Sequence, residues 1–468
     1  MESKTARGLK KGIVVVLIAN IINLVISLLR NFLLPKYLSV ETYADIKLYQ
    51  LYISYAGFAA LGYIDGMYLK YGGKSLLNID RNELNQNVST FRIFQLLISF
   101  ALLLVGFIWR DYIFCAMALS IVALNMADYY KCLFQATGEF SLYSRIMNIS
   151  SVSLFLASLI LLFIVKIENS APYIISYVII YYIVWLFLEI RLFKGGVKGN
   201  LTYFSAVECK TSIKSGWSLM IGTFVSTFMT GLDRWCVKLT MDTYAFALYS
   251  FAASVVGFLA YAISPIAITL YNYFCKEHES INYKKIRQMI LLFVTMIIAG
   301  AFPVKFILEY YLEKYLFAQN VIFILFSGQV LYGFIKCYYV NLYKASKQQN
   351  KYMRGIIIVA ISGVAFNVLL YLLYKDMISF SIGTMLAGAV WLFLCAKDFP
   401  DNKNTLLEIL YSLILIASFI IYGFFFKSYI GFSLYILTWI GASVLLMRES
   451  LSSIIAILIK GLKRRISH

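Results

Sequence analysis

The sequence predicts an all-α, polytopic integral membrane protein, and three observations predict it. Hydrophobic residues make up 61% of the 468 positions and charged residues only 14%. The apolar residues gather into about fourteen stretches, each near the roughly 20 residues that a helix needs to cross a hydrocarbon core about 30 Å thick. Lys and Arg crowd into every second one of the short connections between those stretches.

In chain order the expected spans are 12–34, 45–68, 91–109, 112–132, 146–165, 172–190 and 216–238, followed by 244–273, 288–308, 319–342, 355–374, 378–396, 405–426 and 429–447. The first follows a basic segment carrying Lys4, Arg7, Lys10 and Lys11. Its apolar run lacks a small-residue cleavage site and is too long for a signal h-region, so it reads as a span. One set of connections then holds 30 Lys and Arg: 1–11, 70–92, 131–145, 191–214, 276–287, 344–354, 397–403 and 448–468. The opposite set holds 8, at Lys36, Arg110, Lys166, Lys238, Lys305, Lys314, Lys375 and Lys427. Arg30, Lys47, Arg234 and Lys336 stay inside or at the margins of spans. The excess of cations places both termini in the cytoplasm. An even number of spans is then required; fourteen satisfies it, and twelve is the alternative. Residues 448–468 form a basic cytoplasmic tail, whose apolar run is too short to span and reads as an interfacial helix.

Composition excludes several functions. A net charge of +19 suggests nucleic acid in a soluble chain, but here the cations flank apolar spans, where they orient the chain and meet anionic lipid. The connections are too short to hide a soluble domain of ordinary size, so no ATPase or sugar-nucleotide domain is expected. Lys70-Tyr-Gly-Gly-Lys-Ser75 is not a P-loop, because the first glycine of that motif falls on Tyr68. The two histidines, His278 and His468, lie outside the spans, and the seven cysteines have no paired spacing. Neither metal chemistry nor a disulfide framework is indicated. No cofactor is expected, and coupling to H+ or Na+ stays open. Most of the 37 Tyr and 36 Phe are expected in interface belts or against lipid.

Internal repeats give the architecture. Gly12 precedes Arg30 by eighteen residues, and Gly216 precedes Arg234 by eighteen. Leu38-Ser-Val-Glu-Thr-Tyr43-Ala44 matches Leu239-Thr-Met-Asp-Thr-Tyr244-Ala245, and Gln135-Ala-Thr-Gly138 with Tyr143-Ser-Arg145 matches Lys344-Ala-Ser-Lys347 with Tyr352-Met-Arg354. Six spans precede the second copy, so both copies start from the same side as parallel repeats. This predicts two pseudo-symmetric six-helix lobes, 1–200 and 205–400, then two additional helices in 404–447 and the tail 448–468. Transporters built this way hold substrate between the repeats near the midplane.

The residues Leu9-Lys-Lys-Gly12, Arg30, Leu38-Ser-Val-Glu-Thr-Tyr43, Leu61-Gly62, Phe134-Gln-Ala-Thr-Gly-Glu-Phe140, Gly231-Leu-Asp-Arg234 and Tyr244-Ala-Phe-Ala-Leu-Tyr249 carry a resemblance by their order and spacing. The chain resembles the polysaccharide transporter family of the multidrug/oligosaccharidyl-lipid/polysaccharide (MOP) exporter superfamily, in particular bacterial O-antigen repeat-unit flippases of the Wzx type. One departure is the span count: many such flippases are described with twelve, and the last two spans here match in number those of lipid II flippases. The resemblance implies a multi-pass protein of the bacterial inner membrane that moves an undecaprenyl-pyrophosphate-linked O-antigen or capsular unit from the inner to the outer leaflet by alternating access. It implies membrane lipids, an O-antigen polymerase and a chain-length regulator as partners, and no nucleic acid. Two alternatives remain: a MATE-like drug/cation antiporter, which needs cavity carboxylates, and a membrane-embedded polysaccharide polymerase, which usually needs sizeable catalytic loops.

The candidate substrate-binding residues are charges that a bilayer rejects, since each costs about 2.5–3.5 kcal/mol at a helix centre unless it faces a cavity or partner. Arg30 and Arg234 occupy equivalent repeat positions; the resemblance places their helices beside the central cavity, where two guanidiniums suit a pyrophosphate. The other reading pairs Arg30 with Asp45 or Asp65 and neutralises Arg234 with Asp233. Lys336 either attracts an anionic head group or snorkels to the interface. Asp65, in Gly62-Tyr-Ile-Asp-Gly66, either meets a cavity cation, carries a coupling proton or ends a helix. Asp128 with Lys131 reads as a helical pair, and Glu189 with Arg191 as an interfacial one.

Overall fold

A computed structural model describes residues 2–194, 203–276, 282–453 and 456. The described residues are helical, with no β-strand among them. The chain forms two units, Met1–Phe228 and Met229–His468.

The first unit contains α1 (Glu2–Tyr37), α2 (Val40–Ile53), α3 (Tyr63–Tyr71), α4 (Arg81–Trp109), α5 (Tyr112–Ala136), α6 (Phe140–Leu159) and α7 (Ser170–Lys194). The long helix α8 (Ala206–Thr240) starts in the first unit and ends in the second. The second unit continues with α9 (Thr243–Val256), α10 (Leu259–Lys276), α11 (Tyr283–Ile297), α12 (Ala301–Tyr310), α13 (Gln319–Cys337) and α14 (Tyr339–Ala345). It ends with α15 (Gln349–Tyr374), α16 (Met377–Asp398), α17 (Leu406–Phe425) and α18 (Ser428–Leu446).

Short polar side chains set the starts of these helices by accepting otherwise orphaned N–H groups. Ser39 accepts from Thr42 at α2, Asp111 from Ile113 and Phe114 at α5, and Asp242 from Ala245 at α9. Thr405 and Glu408 form a reciprocal capping box at α17. Arg110, Lys166 and Lys375 end their helices in the left-handed region, with φ of 56°, 56° and 48°, which turns the chain within a few residues.

Twelve of the fourteen expected spans correspond to segments long and apolar enough to cross a membrane, so the chain is a multi-pass membrane protein. The other two are 45–68 and 216–238. The first is broken into α2, a 3-10 turn at Ala56–Ala60 and α3. Leu61 and Gly62 stand there in successive left-handed conformations, φ 48° and 85°, which no continuous helix accommodates. The second lies in α8, a continuous helix rich in Ser and Thr.

Several charges sit deeper than sequence spacing indicates. Glu189 pairs with Arg92, at 2.8 and 2.9 Å; the side chain of Arg191, its expected partner, lies outside those described. Tyr130 Oη and Trp185 Nε1 donate to the same carboxylate at 2.7 and 3.0 Å, so four side chains from α4, α5 and α7 form one buried polar knot. Arg287 of α11 meets Glu408 of α17 at 3.0 Å, with the carboxylate fully buried. Lys305, expected in an external connection, is buried in α12 and donates to the Gly423 and Phe426 carbonyls at 2.7 and 2.6 Å. It thereby caps the end of α17, where backbone carbonyls have no helical partner.

A share of the aromatics is buried inside the helices' packing. The largest fully buried side chains are tyrosines, among them Tyr49, Tyr63, Tyr129, Tyr249, Tyr339 and Tyr411. Their hydroxyls are used inside the bundles: Tyr49 with Ser120 at 2.6 Å and Tyr129 to Asn87 at 2.6 Å are two cases. The interfacial helix expected within 448–468 falls largely on residues outside those described.

Candidate functional site

The first unit contains a cavity of about 410 Å³. The α2–α3 segment contributes Ser54, Phe58 and Asp65. From α5 come Asp128, Lys131 and Gln135, and α8 adds Thr223 and Thr227. The two expected spans that are not apolar enough to qualify are therefore two of the three elements lining this space. The break at Leu61 and Gly62 exposes one side of α3 to it, and α8 turns part of its hydroxyl-bearing surface toward it.

Asp65 is half-buried in the cavity wall, and no ion pair among the described residues includes it. Asp128 pairs with Lys131 one turn away. Phe58 meets Phe224 of α8 edge-on, with ring centroids 4.7 Å apart. The α3 and α8 backbones approach closely alongside. A Cβ at Gly66 would strike the Ser212 carbonyl oxygen, and one at Gly216 would strike that of Gly62. Beyond the cavity, Lys70 at the end of α3 meets Glu83 at 2.7 Å and Glu208 at 3.4 Å. Desolvation favours the neutral Lys70 amine, but the hydrogen bond to Glu83 and the two carboxylate charges outweigh it and raise its pKa.

Arg30 lies in the same unit but outside the cavity lining. Its half-buried guanidinium stands 5.4 Å from the centroid of the Tyr177 ring, and no carboxylate among the described residues pairs with it. Asp45, one suggested partner, instead accepts from Tyr112 at 2.9 Å and Ser170 at 2.7 Å.

In the second unit Asp233 is buried. It accepts from Tyr249 Oη at 2.8 Å and from the backbone N–H of Arg234 at 2.8 Å. Its carboxylate thus ties α8 to α9 without an ion pair to the Arg234 guanidinium, whose buried Nε has no hydrogen-bond partner among the described residues. Lys336 is exposed in the last turn of α13. A second cavity in this unit, about 430 Å³, is almost wholly apolar. It is lined by Leu291, Phe334, Met385, Leu392 and Ile409, with Lys403 from the connection before α17.

No protein-family model and no curated protein sequence matches the chain. Solved structures do. The lipid II flippase MurJ, in an inward closed conformation, matches over 94% of this chain and 100% of its own, with a TM-score of 0.66 and 16% identity. The chain shares the fold of that flippase. A eukaryotic MATE transporter matches over 89% of this chain and 99% of its own, with a TM-score of 0.49 and 14% identity. For a MOP transporter from Pyrococcus furiosus the values are 85%, 97%, 0.48 and 14%. At 94% coverage the shared fold takes in at least part of the final pair, α17 and α18.

Of the residues singled out from the sequence, Asp65 lines the first unit's cavity, Arg30 lies apart from that lining, and Asp233 neighbours Arg234 with no close ion pair to its guanidinium among the described residues. Sequence spacing missed Asp128, Lys131, Gln135 and the α8 hydroxyls as cavity residues. The available signal was the row Ser215, Ser218, Thr223, Ser226, Thr227 and Thr230, hydroxyls recurring at helical spacing along an expected membrane span.

Proposed function

We propose that the chain moves an undecaprenyl-pyrophosphate-linked oligosaccharide, an O-antigen or capsular unit, from the inner to the outer leaflet of a bacterial inner membrane by alternating access. One observation carries the reading. Arg92 and Arg287 are buried against carboxylates, whereas Arg30 and Arg234, at equivalent repeat positions, have no carboxylate partner among the described residues. A guanidinium inside a bundle with no carboxylate in ion-pair contact is suited to an anion brought by the substrate, and its planar fork matches pyrophosphate oxygens. Lys336, also outside every described ion pair, adds a cation for the same head group. The apolar groove of the second unit offers a surface to a polyprenyl tail, and fold likeness to a lipid flippase supports a lipid-linked cargo.

The test combines substitution with sidedness. Arg30→Ala and Arg234→Ala are expected to abolish surface glycan while membrane expression stays near the wild-type level, and Lys at either position to restore only part of it. Without the protein, completed single units accumulate on undecaprenyl pyrophosphate at the inner leaflet, protected from an impermeant glycan-binding reagent in intact spheroplasts. Full transport by the double alanine variant would sink the arginine site. Equal accessibility of the units with and without the protein, in cells lacking another flippase, would sink the transport reading.

Asp65 and Asp128 in the first unit's cavity favour a second reading, cation antiport of the MATE type, because carboxylates attract a cationic drug. That reading expects deletion to raise sensitivity to cationic dyes; the lipid-flippase reading expects no change.

A further inference from the structure

We infer that the first unit's cavity receives the sugars of the transported lipid and selects glycans that carry no carboxylate. The inference rests on the transport reading above and assigns the sugars and the pyrophosphate to different places. Within the cavity Lys131 is already paired with Asp128, which leaves Asp65 as a charge with no ion-pair partner among the described residues. A wall of net negative charge repels pyrophosphate. It suits groups that donate hydrogen bonds, because an ionised carboxylate is acceptor-only.

Sugars supply those groups. A pyranose has hydroxyls around its edge and C–H faces above and below, and this cavity offers matching surfaces. Gln135 brings an amide that both donates and accepts. The Ser54 and Thr223 hydroxyls, which donate to the Leu51 and Leu219 carbonyls at 2.6 and 3.1 Å, offer acceptor lone pairs. Asp65 accepts, and Phe58 gives an aromatic wall. The volume of about 410 Å³ falls within the roughly 300–1,000 Å³ of small-molecule sites. An N-acetylated sugar fits this chemistry, and an amino sugar adds an ammonium that Asp65 attracts. A uronic acid places a second carboxylate against Asp65, and repulsion of this kind discriminates between otherwise similar ligands.

The full chain, reconstituted into proteoliposomes, distinguishes the outcomes. The probes are farnesyl-pyrophosphate-linked trisaccharides with a terminal NBD fluorophore. They differ in one internal sugar: N-acetylglucosamine, glucosamine or glucuronic acid. Dithionite added outside quenches only outward-facing probe, so its time course reads transbilayer movement. The wild type is expected to move the first two at least about tenfold faster than the third. Asp65→Asn, which keeps the shape and removes the charge, is expected to shrink that ratio to within about threefold whatever the absolute rate. Lys131→Gln, which makes the wall more negative, is expected to increase it. Equal wild-type rates for all three probes overturn the inference and leave the transport reading standing. A ratio unchanged by Asp65→Asn, or lowered by Lys131→Gln, overturns the assignment to this cavity. Movement of no probe overturns the transport reading and the inference with it.

Discussion

Arginine has two uses in this chain, separated by what faces the guanidinium. Arg92 is buried and bound by Glu189, which also accepts from Tyr130 and Trp185; Arg30 has an aromatic ring beside it and no carboxylate partner among the described residues. The distinction predicts different losses. Arg92→Met leaves the Glu189 carboxylate buried without its cation, and breaking a buried pair from one side costs about 3–5 kcal/mol. The double variant Arg92→Met/Glu189→Met replaces both charges by apolar groups and is expected to recover much of that. Thermal unfolding in detergent checks the order: a single variant as stable as the double one contradicts a structural pair. Arg30→Ala, by contrast, is expected to spare stability and lose transport. The sequence marks which charges lie within spans, because hydropathy is local. It does not mark their partners, because Arg92 and Glu189 are 97 residues apart and Arg191 lies much nearer in sequence.

At the scale of elements, the small residues of α3 matter through what they allow to approach. Gly62 and Gly66 admit the α8 backbone so closely that a Cβ on either side of the contact meets main-chain atoms. Backbone yields less readily than a side-chain tip. Gly66→Ala is therefore expected to force α3 from α8 and lower stability by about 1–3 kcal/mol, with loss of monodisperse protein in fluorescence-detected size exclusion. Gly222→Ala, in the same α8 but with nothing within 4 Å of its added Cβ, is the control expected to behave as wild type. Equal behaviour of the two would show that the close approach is not structural. Gly62-Tyr-Ile-Asp-Gly66 carries the small-residue spacing that lets membrane helices approach closely. Its partner at Ser212 and Gly216 was not legible, since 146 residues and more separate them from Gly62 and Gly66 and hydropathy reads only local sequence. The break before α3 was equally hidden, because left-handed Leu61 has no compositional signature.

At the scale of the whole molecule, span count and orientation rest on different physics. The count follows from helix length and apolarity, and it survives in the structure with the two polar exceptions that line the cavity. Orientation follows from loop cations alone. Three of those cations, Arg92, Arg287 and Lys305, prove to be buried in helices, so removing them from the 30 and the 8 leaves 28 against 7. The bias is still fourfold, well beyond what the three corrections can reverse. Alkaline phosphatase fused after Lys36, Lys166, Lys238 or Lys375 is therefore expected to be active, and after Lys74, Lys198, Lys284 or Lys403 silent. Lys198 is the informative position. It lies outside the described residues, between the sixth and seventh expected spans, where a parallel-repeat reading requires both copies to meet the cytoplasm. An active fusion there would put an odd number of spans in the first repeat. The repeats would then be inverted, and Arg30 and Arg234 would no longer hold equivalent positions relative to the membrane.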